Sequence, residues 1–228
     1  MKTKMPFVKN KAWLLLLLLL FPAQTLAGTP TVQALLNNLK AAYEEVYDYQ
    51  TKVEVRTYDH DDSFTTEKFL YTFKKPKQIR IDLELPHPGM VLVYPDRNGK
   101  VGVRPSGWAG FLKLSLAPDN FLLTVSSGQE IDQTDMGLLI ENIAKSLTNE
   151  RHGQLQIEEE GERLRIGVLA DNHFRKDVMT RYEFIIDKKN WLPVEVTEFT
   201  PNGVLERRVS FNDLKVNIGV NDSFFQLD

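Results

Sequence analysis

Residues 68–105 read KFLYTFKKPKQIRIDLELPHPGMVLVYPDRNGKVGVRP, and this stretch decides the fold. Phe69, Tyr71 and Phe73 share one phase, as do Ile79, Ile81 and Leu83, with Arg80 and Asp82 between. A period of two marks a strand with one dry face and one wet face. Lys75-Pro76, Pro86-His87-Pro88-Gly89 and Asp96-Arg97-Asn98-Gly99 interrupt the runs as turns. The spacing predicts a meander of four short strands. What its dry face packs against is the question for the rest of the chain.

Upstream, Tyr49 to Tyr58 alternates in the same way, with Val53 and Val55 against Lys52, Glu54 and Arg56, and runs into the polar loop Asp59-His60-Asp61-Asp62-Ser63. Before it, Thr29-Pro30 reads as a helix start. Leu35, Leu36, Leu39, Ala42, Tyr43 and Val46 then form one apolar helical stripe. Downstream, Trp108, Phe111, Leu114 and Leu116 sit among small residues, as a flexible apolar loop or a short strand. Residues 126–132 are polar and turn-like. Thr134 or Asp135 caps a second helix with the stripe Met136, Leu139, Ile140, Ile143 and Leu147. Five strands follow, over 154–159, 163–169, 178–186, 192–199 and 204–216, with hairpin-type turns at 187–190 and 200–203. Long strands joined by tight turns argue for antiparallel pairing rather than βαβ winding.

The segment 1–27 reads as a secretory signal peptide. It has Lys2, Lys4, Lys9 and Lys11, an apolar run from Trp13 to Phe21 built on seven leucines, and small residues before a cut at Ala27-Gly28. The run is short of the ~20 residues that span a bilayer. Removing four lysines and no acid takes the net charge from −3 to −7. That disfavours nucleic acid as a partner, and an anionic membrane surface held by charge alone. The 228 residues include no cysteine, so an exported chain must be stabilised by burial rather than disulfides. Residues 28–228 are expected to form one domain, monomeric and periplasmic.

The sum is α+β: roughly eleven antiparallel strands and two amphipathic helices. A single large sheet that curls must cover its concave face. Two helices and an apolar loop are the available covers, and a loose cover leaves an apolar cavity.

In this order the chain resembles the LolA-like superfamily, exported carriers of lipoproteins and lipids. The resemblance is carried by the first helix after a signal peptide and the strand at Tyr49–Tyr58. It continues through Phe69-x-x-x-Phe73-Lys74-Lys75-Pro76, Ile79-Arg80-Ile81, Val91-Leu92-Val93-Tyr94 before the Asp96 to Gly99 turn, and the ending Asn221-Asp222-Ser223-Phe224-Phe225. It covers nearly all of 28–228 and implies an unclosed β-barrel lidded by helices around a cavity for acyl chains. In the lipoprotein carriers an arginine before the motif proline controls lid opening. Here that position is Lys75, which lacks arginine's planar fork.

On pattern alone, Val53, Val55, Phe69, Tyr71, Phe73, Ile79, Ile81 and Leu83 are either a packed core or a pocket wall. The resemblance implies a pocket wall. Trp108, Phe111 and Leu114 are either a mobile lid or rim, favoured by Gly107 and Gly110, or a loop packed on the core. Lys75, Arg80 and Arg104 are candidates for meeting a head-group or controlling the lid. Asp59 to Asp62 read as a solvated loop rather than a metal site, because consecutive residues alternate sides and no second histidine stands at ligand spacing. Glu158-Glu159-Glu160 reads as a solvated strand end, His60, His87, His152 and His173 fall in turn-like or polar contexts, and Ser126-Ser127-Gly128 lacks a nucleophile elbow. No catalytic set, metal or cofactor is expected. The expected function is binding a lipid or lipoprotein acyl chains for carriage in the envelope, with an envelope membrane protein as a further partner. The alternative is a protein-interaction or sensor module of the same fold without lipid cargo.

Overall fold

The computed structural model describes residues 30–59, 63–120, 123, 130–148 and 154–227. The first helix, α1, is Val32–Glu44. Thr29 lies outside the described residues, and the hydroxyl that caps α1 is that of Thr31, whose Oγ1 accepts the Ala34 N–H at 3.2 Å. Strands β1 (Asp48–Tyr58), β2 (Phe64–Lys74), β3 (Gln78–Leu85), β4 (Val91–Tyr94), β5 (Val101–Arg104) and β6 (Leu114–Leu116) follow. A 3-10 turn at Gly107–Phe111 precedes β6. The second helix, α2, is Met136–Thr148. Strands β7 (Gln156–Glu160), β8 (Arg163–Asp171), β9 (Met179–Asp187), β10 (Leu192–Phe199) and β11 (Leu205–Val216) complete the order.

All eleven strands form one sheet in the order β6-β5-β4-β3-β2-β1-β11-β10-β9-β8-β7. Every pairing is antiparallel, and the edge strands β6 and β7 do not meet, so the barrel-like sheet is unclosed. The four strands expected between residues 68 and 105 are β2 to β5. Gly89 and Gly99 hold the turns between them at φ +86° and +72°, a region glycine enters without a Cβ penalty. The sheet is two meanders joined where β1 pairs with β11. Val53 therefore stands opposite Phe69 on one side and Phe211 on the other.

Alternation gives the sheet an inner apolar face: Tyr49, Val53 and Val55, then Tyr71 and Phe73, Ile79 and Ile81, and in the second meander Leu164, Ile166, Tyr182, Phe184 and Val196. The helices lie over this face. Leu35 and Leu39 of α1 and Met136, Ile140, Ile143 and Leu147 of α2 are buried, and α1 packs on α2 and β10 while α2 packs on β8. Leu138 N–H donates to Asp135 Oδ1 at 3.0 Å, so Asp135 is the cap of α2.

The opposite face of β3 to β5 is covered by the C-terminal segment. Asp48, itself buried, accepts the N–H groups of Ile218 (2.7 Å) and Val220 (3.0 Å) and fixes that segment beside β1. The chain then turns at Asp222–Phe225 and buries Phe225. No helix among the described residues is long and apolar enough to cross a membrane.

Candidate functional site

Beneath the helices the inner face leaves a cavity of about 110 Å³. Val53, Val55, Phe69, Tyr71 and Ile81 supply its wall from the first meander; Tyr182, Phe184, Val196, Val209 and Phe211 supply the other side. Leu139 and Asn142 of α2 form part of the cover. A second cavity of about 420 Å³ adjoins it, lined by Leu83, Met90, Leu92, Val103, Leu114 and Leu116. Phe69 and Ile81 line both, so the two cavities, together the trough, share a wall on the apolar face of the sheet.

The sequence candidates divide accordingly. Val53, Val55, Phe69, Tyr71 and Ile81 meet at the first cavity, and Leu83 and Leu114 at the second. Phe73 and Ile79 line neither cavity. They are buried in the core, with Phe73 stacked on Tyr49 at 5.1 Å. Trp108 and Phe111 also line neither and stand 87% and 74% exposed on the turn before β6.

The three basic candidates lie away from the trough. Lys75 Nζ donates to the carbonyl oxygens of Tyr43 (2.8 Å) and Glu44 (3.1 Å) and sits 4.6 Å from the Tyr43 ring centroid. It therefore holds the C-terminal end of α1, where a cation suits the helix dipole. Arg80 faces the outer side. Its guanidinium donates to Asp82 at 2.8 Å and to Phe224 O at 2.9 Å and stacks on the Phe224 ring. Arg104 ends β5 opposite Val91, in the outward phase.

The trough has a polar end. Arg207 and Glu198 occupy apolar-phase positions on β11 and β10, opposite one another, and both line the first cavity. Their side chains are 9% and 12% exposed and meet at 3.5 Å, long for a charge-assisted hydrogen bond. Burial pushes the Glu198 carboxyl up, with Arg207 opposing, and pushes the Arg207 guanidinium down, with Glu198 opposing. Arg207 Nε is sealed from solvent without a hydrogen-bond partner.

His173 borders the same cavity, stacked on Tyr182 at 4.4 Å, with Nε2 2.8 Å from Ser146 Oγ. Burial lowers its pKa to about 4, with Lys145 adding to the effect, so the ring is neutral at pH 7. Ser146 is a buried residue of α2 and does not line the cavity, so this pair ties α2 to the loop after β8. Among the described residues no three His, Cys, Asp or Glu side chains gather as a metal site. His60, Asp61, Asp62, His152 and Ser126-Ser127-Gly128 lie outside the described residues.

The second-meander half of the site was not singled out from sequence. Its signal was present in the alternation of Tyr182 with Phe184 and of Arg207, Val209 and Phe211. A charge in the apolar phase, at Arg207 and again at Glu198 beside Val196, is the specific cue.

No protein-family model matches the chain, and no curated protein matches it in sequence. Solved structures do resemble it. MucB in complex with MucA(peri) is 14% identical with a TM-score of 0.47; the match covers 87% of this chain and 60% of that one. An uncharacterized conserved protein from Thermus thermophilus is 10% identical with a TM-score of 0.46, over 85% of this chain and 91% of that one. A LolA superfamily protein from Nitrosomonas europaea is 12% identical with a TM-score of 0.38, over 86% and 97%. The chain thus spans about three-fifths of the length of MucB. At these scores the site is read from this chain's own residues.

Proposed function

We propose that the chain is an exported carrier that shelters an acyl chain of a lipid or acylated protein in the trough beneath α1 and α2. The observation that carries this reading is the pair of neighbouring, mostly apolar cavities that share Phe69 and Ile81 in their walls. The larger one has a volume usual for small-ligand sites. Burying a chain of a dozen methylenes is worth on the order of 10 kcal/mol gross, at ~0.8 kcal/mol per CH₂. Association costs remove much of that and leave room for a useful affinity. Capture and release proceed by lid movement, with Lys75 holding the end of α1. The reading places the protein in the periplasm after cleavage near Ala27-Gly28, as a monomer, with no covalent step.

The test is uptake of a fluorescent acyl probe by delipidated protein. Wild type takes up the probe stoichiometrically, and phospholipid or acylated peptide displaces it. Phe69→Asp, at the wall common to both cavities, abolishes uptake while circular dichroism remains that of the folded chain. Failure of wild type to take up any lipophile contradicts the reading.

A second reading is favoured by one observation: Trp108, Phe111 and Leu112 form an exposed apolar patch beside the second cavity. Monomers rarely leave such residues clustered and uncovered. The patch suits docking to an envelope protein, either as an acceptor of cargo or as the partner of a sensor without cargo. Trp108→Ser with Phe111→Ser abolishes cross-linking to that protein and leaves probe uptake intact if the docking reading holds.

A further inference from the structure

Arg207 and Glu198 are unusual among the ion pairs of this chain. Arg80–Asp82, Arg165–Glu183 and Arg175–Glu206 close to 2.8, 2.7 and 2.9 Å, each with solvent contact. Arg207–Glu198 is the pair most fully withdrawn from water and yet stands at 3.5 Å. A guanidinium has five N–H donors. Among the described residues this one makes a single long contact, and its Nε is orphaned. Buried charged groups are ordinarily held by short hydrogen bonds on all sides. Both residues line a cavity whose other walls are mostly apolar, and the guanidinium has N–H donors to spare beyond its one long contact with Glu198.

We propose that the Arg207–Glu198 pair is the head-group site for the carboxyl of a long-chain carboxylic acid, whose tail runs past Val53, Phe69 and Ile81. This rests on the carrier reading and names its ligand class. The polar groups match in kind, a donor in Arg207 and an acceptor in Glu198. A carboxylic acid carries a C=O acceptor and an O–H donor on one side. The C=O accepts from Arg207 and the O–H donates to Glu198. No bond is made or broken except that one proton is shared between two carboxyl groups, and the net charge of guanidinium, Glu198 and ligand acid is zero.

A bare carboxylate fits less well. It adds a negative charge beside Glu198, with Glu67 and Glu206 also facing the pair and only Arg175 and Arg207 as nearby cations. Tyr182 and His173, the other titratable groups at this end, are neutral at pH 7. The upward push of burial on Glu198 acts in the same direction, favouring a proton at the site. Since a free carboxylic acid ionises near pH 4–5, binding as the acid takes up one proton at neutral pH.

The experiment is titration of the delipidated protein with palmitic acid, methyl palmitate and hexadecanol below their aggregation concentrations, between pH 6 and 8. Palmitic acid binds at least tenfold more tightly than its methyl ester at pH 6, and its affinity falls about tenfold per pH unit. Arg207→Met removes the preference for the acid over the ester. Glu198→Gln keeps the shape of the side chain, accepts the ligand as its anion and abolishes the pH slope. Equal binding of acid and ester, with neither variant altering it, overturns the head-group site and leaves the carrier reading standing. Tight acid binding without a pH slope in wild type overturns the shared proton. If none of the three ligands binds, both readings fall.

Discussion

The phenol oxygen of Tyr49, on the first strand of the sheet, accepts the backbone N–H of Met136 at 3.0 Å. Met136 begins α2, where the first N–H groups have no partner within the helix. The ring of Tyr49 is itself fixed between Tyr71 at 5.8 Å and Phe73 at 5.1 Å. The start of the covering helix is thereby tied to the floor of the trough. Tyr49→Phe keeps the stack and orphans a buried N–H, at a cost of about 1–3 kcal/mol. Thermal unfolding reads that loss, and amide exchange across residues 136–140 reads its location. Unchanged exchange there contradicts the tie.

Gly137 marks where α1 approaches α2. A Cβ built on it meets Tyr43 Cε1 at 2.6 Å and Cζ at 2.8 Å. Gly137→Ala therefore displaces Tyr43 and its 3.4 Å contact with Asp135. The overpacking costs about 1–3 kcal/mol, against a helix-propensity gain of up to ~1 kcal/mol. The double variant Gly137→Ala with Tyr43→Ala is less destabilised than the sum of the singles. Additive melting shifts count against the contact.

Lys75 closes the other end of the same helix. Lys75→Met loses a charge-assisted bond to the last carbonyls of α1 and costs about 1 kcal/mol. It also speeds exchange at residues 40–45 and accelerates release of a bound acyl probe. A release rate equal to wild type shows that this lysine does not hold the lid.

His173 sets a pH dependence. Its folded pKa of about 4 lies below the ordinary ~6.5 of a histidine in an unfolded chain. Between those values the unfolded state binds more protons, so the histidine's contribution is complete above pH 6.5 and is lost as pH falls toward 4. The loss amounts to on the order of 3 kcal/mol. His173→Phe keeps a ring on Tyr182 and flattens this part of the stability profile. Denaturant unfolding at pH 7 and pH 4.5 measures it; parallel slopes for the two proteins contradict the assignment.

The first half of the sheet was legible because its information is local. Phe69 to Leu83 alternates and its turns carry Pro and Gly, so β2 to β5 follow from neighbours in the chain. The cap of α2 was legible to within two neighbours, Thr134 or Asp135, and the bond from the Leu138 N–H decides for Asp135. The cap at Thr31, beyond Pro30, was not legible, because which hydroxyl accepts the Ala34 N–H is a matter of geometry. The pairing of Val53 with Phe211 was not legible, because nothing local in β1 specifies a strand so far along the chain. With it went half of the cavity wall. Arg207 and Glu198 were not singled out, since only the pairing of β10 with β11 sets them opposite one another. Trp108 and Phe111 could not be divided between lid and core by composition. The structure places both at the surface, outside the lining of either cavity.

The central claim is that the trough through Phe69 and Ile81 holds an acyl chain. Native mass spectrometry of the protein purified from its own envelope without detergent, with lipid extraction of the same sample, tests it most directly. The account predicts a discrete added mass that extracts as a lipid and is missing from Phe69→Asp. A clean apo mass, with no uptake of added fatty acid, phospholipid or acylated peptide, contradicts it.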